Sequence, residues 1–258
     1  MTTIVEHDGL QVMADHMSVE EVLRLVSATA RWVHKDVFRA FPVWFPEHSR
    51  GALFYKSDWS ESQTNTTRDT GHTIHKSEGN THANQALTLA LGTTKQKRRN
   101  WSCCHIWGVD DAFFQKSNSI VRDPRYFSCT ANMVLLPTPL KAFTDTMPRV
   151  KQALRICAYY YYGWYCDHRD LGSWKFLDDP LINLPTGYPK DWPTAACPNL
   201  TPPGVVSPND TIWRKLENRR QRIQRDLSNA GNYYPRESVT RTLEHWNINL
   251  ETPLTAAQ

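Results

Sequence analysis

Trp101-Ser102-Cys103-Cys104-His105-Ile106-Trp107-Gly108 opens, and Ala131-Asn132-Met133-Val134-Leu135-Leu136-Pro137-Thr138-Pro139-Leu140-Lys141 closes, the stretch that decides the fold. A histidine stands near the end of a short apolar run, and 27 residues later an asparagine heads a second one. Between them, Gly108-Val109-Asp110-Asp111 and Asp123-Pro124-Arg125 carry turn chemistry, and Tyr126-Phe127-Ser128-Cys129 reads as a strand. The order strand, loop, strand, helix is therefore available between Asn100 and Asp145, with Asn132 between the second strand and the helix.

Upstream of this stretch, Lys95, Lys97, Arg98 and Arg99 place four cations in five positions, a pattern that can grip a phosphate backbone or form a solvated turn. Before them, 84–91 reads as a short helix stopped by Gly92. Residues 57–81 are rich in Ser, Thr, Asn and Asp, which bond to their own backbone, so they read as a long loop containing His72 and His75. Nearer the N-terminus, Ser18-Val19-Glu20-Glu21 is a capping box. A helical stripe of Val19, Val22, Leu23, Val26, Ala30 and Val33 follows, and predicts a helix to about Lys35. Phe38 to Phe45, with Pro42 inside and Pro46 after it, reads as a packed loop.

Downstream, Pro148 starts a helix with an apolar stripe of Val150, Leu154, Cys157 and Ala158, and Gly163 near its end. Residues 180–208 hold eight of the sixteen prolines and read as extended and irregular. A helix from Ser207 or so to Asn229 buries Ile212, Leu216, Ile223 and Leu227. Its other faces carry Arg214, Lys215, Arg219, Arg220, Arg222 and Arg225, a basic surface that suits a DNA groove as well as it suits solvent. A last short helix spans 235–246.

The chain has 258 residues, 40% hydrophobic and 22% charged, which fits a globular protein. No run reaches the roughly 18 apolar residues of a membrane span. Met1 to Asp15 carries acids where a signal peptide has basic residues and an apolar core, so a cytoplasmic location is expected. The six cysteines make no C-x-x-C pair and read as buried thiols. A zinc site built on Cys103 or Cys104 with His105 and Cys129, and a cysteine nucleophile with His72 or His168 as base, are weaker readings. Net charge is only +4, so the placing of the cations matters more than their sum.

The segment from Asn100 to Asp145 resembles the HNH, or ββα-metal, endonuclease family. His105-Ile106 matches the family's His-Ile pair at the general base, and Asn132 with Met-Val-Leu-Leu-Pro matches its Asn-apolar run. The resemblance implies a nuclease unit over residues 1–179, with the ββα-metal element at about 100–160. The proline-rich segment and C-terminal basic helices, 180–258, would pack on it. The fold class expected is α+β, mostly helical and loop-rich, with that element embedded. His105 would activate water, and Asn132 would position the base or the metal. Where the family usually has a metal-binding histidine, nine residues past the asparagine, this chain has Lys141, which would contact phosphate or replace part of the metal's charge. Metal ligands would then be Asn132, Asp145 and Asp110, with Asp111 behind them, around Mg²⁺ or Mn²⁺. A similar one-asparagine site is found in the DRGH nucleases.

The function so implied is metal-dependent hydrolysis of DNA, sequence-specific on double strands in the manner of a restriction enzyme. Lys95, Lys97, Arg98, Arg99, Arg214, Arg219, Arg220 and Arg222 would hold the backbone, and a palindromic site would call for a homodimer. The alternative is a non-catalytic nucleic-acid-binding protein in which His105 and Asn132 are structural.

Overall fold

In a computed structural model, residues 8–67, 70–109, 118–171 and 184–252 are described. Asp110 and Asp111 lie outside them. The fold is mixed α+β, with helices around a small central strand pair.

That pair is β4 (Trp101–His105) and β5 (Met133–Pro137), antiparallel, with Trp101 opposite Pro137 and His105 opposite Met133. Tyr126-Phe127-Ser128-Cys129 is thus not the second strand. Asp123 caps a one-turn helix, α5 (Pro124–Phe127), by accepting from the Arg125 N–H, and Pro124 suits its first position. The apolar run after Asn132 is the strand instead, and Asn132 sits at its head rather than its end. After β5, a 3-10 turn (Thr138–Leu140) leads into α6 (Lys141–Thr146), so strand, connection, strand and helix do follow in order.

Burial on both faces explains why β5 is apolar throughout. Val134 and Leu136 point into a core shared with α2 (Val19–Thr29) and α7 (Pro148–Tyr162). Met133 and Leu135 point into a second core shared with α4 (Thr81–Ala90) and α8 (Asp210–Asn229). On β4, Cys104 faces the first core and Cys103 the second. His105, two residues beyond Cys103, shares its face by the period of the strand.

The capping box at Ser18 forms as read, but α2 stops at Thr29. The helical stripe continues in sequence, yet Arg31 exchanges both backbone bonds with Leu135, at 2.9 and 3.1 Å. Trp32–Val33 then forms β1, parallel to β6 (Val205–Val206). Backbone pairing with the central strands overrides the local periodicity. Lys35–Ala40 is α3, N-capped by His34, and its last residues, Phe38 to Ala40, take in the start of the stretch expected to be a packed loop. The polar 57–81 segment contains an exposed hairpin, β2 (Thr64–Thr66) with β3 (Thr73–His75). A short α1 (Gly9–Ala14) precedes the capping box.

The downstream helices follow their signals. Pro148 begins α7, and Gly163 ends it in the left-handed region at φ 66°. Asn209 caps α8 through the Ile212 N–H. The last helix, α9 (Arg236–His245), packs on α5, and α8 packs on α4, so the C-terminal helices rest on the earlier part of the chain. No helix among the described residues is long and apolar enough to cross a membrane.

Candidate functional site

His105 ends β4, where the ladder gives way to a turn. Its Nε2 lies 2.8 Å from the Phe127 carbonyl oxygen, and its ring stacks on the Phe127 ring at 5.7 Å. A carbonyl oxygen only accepts, so Nε2 carries the proton and Nδ1 keeps the lone pair. The residue is only 7% exposed. Burial pushes its pKa down to about 4; the Phe127 bond works against this, and the charges of Lys151 and Arg50 add to it. At neutral pH the imidazole is uncharged.

Asn132 has no exposure at all. Its Oδ1 accepts from the Trp107 N–H at 2.8 Å, and its Nδ2 donates to the carbonyls of Trp107 and Tyr126 at 3.3 and 3.0 Å. The amide therefore staples the turn after β4 to the turn after α5, and the next carbonyl along from Tyr126 is the one that holds His105. This geometry fits positioning of the base. It does not fit metal ligation, because the side chain is enclosed and used up in main-chain bonds.

A cavity of about 20 Å³, room for about one water molecule, is lined by His105 with Arg50, Asn80, Lys141, Asp145 and Lys151 among others. Lys141 and Asp145, one turn apart on α6, pair at 3.3 Å. Lys151, on α7 and almost fully buried, donates to the His105 carbonyl at 2.9 Å and stands 3.7 Å from Asp145. Among the described residues, the cavity's charged lining is thus Arg50, Lys141, Lys151 and the Asp145 carboxylate. The sequence reading had found Lys141 and Asp145 but neither Arg50 nor Lys151; a lysine inside an apolar helical stripe was the available signal for the latter.

The neighbouring cysteines are not reactive. Burial raises Cys104 to about 11 and Cys129 to about 12, and drives Cys103 well above its ordinary value. Thiols so desolvated stay protonated and are poor nucleophiles.

The proposed backbone-holding cations divide into two sets. Lys95, Lys97 and Arg99 are exposed in the turn between α4 and β4. Arg214 is exposed near the start of α8, whose Lys215 reaches the Thr93 carbonyl at 2.9 Å and so ties that helix to the same turn. Arg98, Arg219 and Arg220 do structural work. Arg98 bonds Thr88 and Asn84. Arg219 is buried against Glu47 and donates to the Trp44 carbonyl at 2.6 Å. Arg220 holds the carbonyls of Asn249 and Thr252, both at 2.6 Å. Arg222, by contrast, is exposed and pairs along α8 with Asp226 at 3.3 Å, so it stays with the surface cations. A charged residue on an amphipathic helix reads as solvent-facing until a buried carboxylate or a chain end claims it.

Among the described residues, the group with metal-ligand spacing is His48, Glu78 and His82, none of which the sequence reading singled out. Separate from both sites, a cleft of about 600 Å³ between α5 and α9 is lined by Arg122, Arg125, Arg169, Arg241, His168 and His245. No family model, curated protein or solved structure matches the chain.

Proposed function

We propose that this protein is a metal-dependent endonuclease of the ββα type acting on DNA. The observation that carries the reading is His105: a strand-terminal imidazole, its tautomer fixed by the Phe127 carbonyl, beside a water-sized cavity that Asp145, Arg50, Lys141 and Lys151 also line. The strand pair followed by α6 is the frame that such an element needs. In this reading Nδ1 takes a proton from the attacking water, and Asn132 keeps the base in place through the Tyr126–Phe127 carbonyls. Arg50, Lys141 and Lys151 offset charge that develops on the phosphate.

Asp145 is the carboxylate placed to hold a hydrated Mg²⁺ or Mn²⁺, an ion that commonly keeps most of its waters and takes only one or two protein carboxylates. When bound, the ion adds positive charge at the scissile phosphate. Lys95, Lys97, Arg99 and Arg214 form the exposed basic surface for the DNA backbone, at the opposite end of β4 from His105. Two copies on a palindromic target would give a sequence-specific double-strand cut.

A second reading, a nucleic-acid-binding protein without catalysis, is favoured by the enclosure of Asn132 and the near-complete burial of His105. Supercoiled plasmid, including modified DNA, incubated with Mg²⁺ or Mn²⁺ separates the two. Nicking that EDTA and His105→Gln abolish supports the nuclease. Plasmid left intact across the metals but retarded on a gel supports the binding module.

A further inference from the structure

The structure assigns a second, nitrogen-rich metal site to His48, Glu78 and His82: we infer that these three side chains bind one Zn²⁺ or a similar borderline transition ion. One ring nitrogen of each histidine and one carboxylate oxygen of Glu78 lie within 4.8 Å of one another. The site stands apart from the nuclease reading and requires neither DNA nor His105.

The chain brings these residues together by backbone pairing. Leu53 bridges Ser77, the Gly51 N–H bonds the Glu78 carbonyl at 2.7 Å, and the Glu78 N–H bonds the Ala52 carbonyl at 2.8 Å. The segment after His48 is thereby held against the segment that enters α4. Glu78 is fully buried as a side chain; it accepts from the Thr81 N–H and lies 2.5 Å from His82 Nδ1. His48 and His82 stack at 3.4 Å with their planes 9° apart. Phe45, Phe54 and Trp59 surround them.

His48 is the observation that points to a ligand. It is only 7% exposed, and its ring nitrogens make no hydrogen bond to another described residue while keeping some access to solvent, so an ion can reach them. Its nearest carboxylate, Glu47 at 3.9 Å, is already engaged by Arg219. A neutral imidazole keeps a lone pair on one ring nitrogen, and no described protein donor takes that of His48, so it is there to give to a metal. Two imidazoles and one carboxylate make the set that zinc accepts, with a fourth position left for water. Mg²⁺ and Ca²⁺, which take oxygen ligands, are disfavoured by two nitrogens. Ligand atoms around a tetrahedral zinc stand roughly 3.4 Å apart, given bonds of about 2.1 Å. Closing the group on an ion therefore takes one ring turning out of the stack and the 2.5 Å His82–Glu78 hydrogen bond opening, with its proton released to solvent. Arg50 and Asn80, each two residues from a ligand, line the His105 cavity, so loading would also stiffen that rim.

The full-length protein, stripped by chelator and dialysed, tests this by zinc titration with metal analysis of the washed protein. Co²⁺ absorption and thermal unfolding are read on the same samples. His48→Phe keeps the stacked ring, and Glu78→Gln keeps the acceptor for the Thr81 N–H, so both preserve the fold better than alanine. One equivalent of zinc in wild type, tetrahedral Co²⁺ bands, a zinc-dependent rise in melting temperature, and at least a tenfold loss of affinity in both variants are expected. Folding of each variant is verified by its circular dichroism. Substoichiometric zinc in wild type, or one equivalent retained by both folded variants and so held by cysteines or other groups, overturns the assignment. Excess Mg²⁺ displacing the zinc overturns it as well.

Discussion

Replacing Asn132 tests how the base is held. In Asn132→Ala, three buried main-chain groups lose a partner: the Trp107 N–H, the Trp107 carbonyl and the Tyr126 carbonyl. The Tyr126 carbonyl keeps a long bond from the Cys129 N–H at 3.4 Å, so the Trp107 N–H and carbonyl carry most of the effect. At roughly 1–3 kcal/mol for each buried group that loses its bond, the loss is about 2–6 kcal/mol. That is a large share of an ordinary domain's stability of about 5–15 kcal/mol. Urea unfolding followed by tryptophan fluorescence measures it as a fall in midpoint at unchanged slope. Asn132→Asp sharpens the test. At neutral pH its carboxylate would point at two carbonyl oxygens, so the folded protein favours the protonated acid and the pKa is raised. Stability arising from a raised carboxyl is present at low pH and lost as pH rises past the unfolded value of about 3.9. Asn132→Asp should therefore be the worse variant at pH 7 and gain on Asn132→Ala as pH falls towards 4. An alanine variant within about 1 kcal/mol of wild type would refute the staple. An aspartate variant as stable as wild type at pH 7, with tighter metal binding, would restore Asn132 as a ligand.

Three further outcomes follow from the geometry. His105→Gln retains an N–H for the Phe127 carbonyl without a titrating ring, so it should fold and lose cleavage by a factor of at least about 100, the low end for a general base; unchanged plasmid nicking would remove His105 from the chemistry. Because the folded pKa of His105, about 4, lies below the unfolded value of 6.5, the unfolded chain binds the extra proton in that window. Wild type should then lose up to roughly 3 kcal/mol more than His105→Gln as pH falls from about 6.5 to 4, and parallel stability curves would show the ring to be solvated. His48 and His168 shift in the same direction in both proteins, and the difference cancels them. Arg219→Ala leaves Glu47 buried and unpaired, for an expected loss of about 3–5 kcal/mol, whereas exposed Arg214→Ala should change stability by less than about 0.5 kcal/mol; equal effects would contradict their placement. Replacing Lys95, Lys97 and Arg99 together by alanine should weaken DNA binding and reduce the slope of log affinity against log salt by up to about 3, if each meets one phosphate. An unchanged slope would place the DNA elsewhere, the arginine-lined cleft between α5 and α9 being the next surface to test.

Local signals in the sequence were enough wherever the chain acts locally. The capping box at Ser18, Pro148 and Gly163 at the ends of α7, and Asn209 before α8 each use side chains within a few residues of the feature they set. Non-local pairing was not legible. The helical stripe through Val33 gave no warning that Arg31 would be drawn into backbone bonds with Leu135. Tyr126 to Cys129 has strand composition, but Asp123-Pro124 in front of it is a helix start, and the capping geometry prevailed. Arg219 looked like one more surface cation because its partner, Glu47, lies 172 residues away. His48 and His82 escaped notice for the same reason: the bridge between Leu53 and Ser77 is what joins them.

The two residues picked from the central stretch by spacing turn out to be linked through a third element that spacing did not reveal. His105 does not meet the Asn132 side chain in a hydrogen bond; the link between them is the short helix α5. Asp123 and Pro124 start that helix, the Tyr126 carbonyl takes Asn132 Nδ2, and the Phe127 carbonyl takes His105 Nε2. The orientation of the base thus depends on where α5 ends. It follows that Asp123→Ala, which removes the cap and frees Arg125 from its carboxylate, should disturb His105 without touching it. The observable is the His105 imidazole signal in NMR, which should move in Asp123→Ala while the circular dichroism stays that of a folded protein. An unmoved signal would mean that β4 and its stacking on Phe127 fix the ring on their own, and the chain from Asp123 to the base would have to be abandoned.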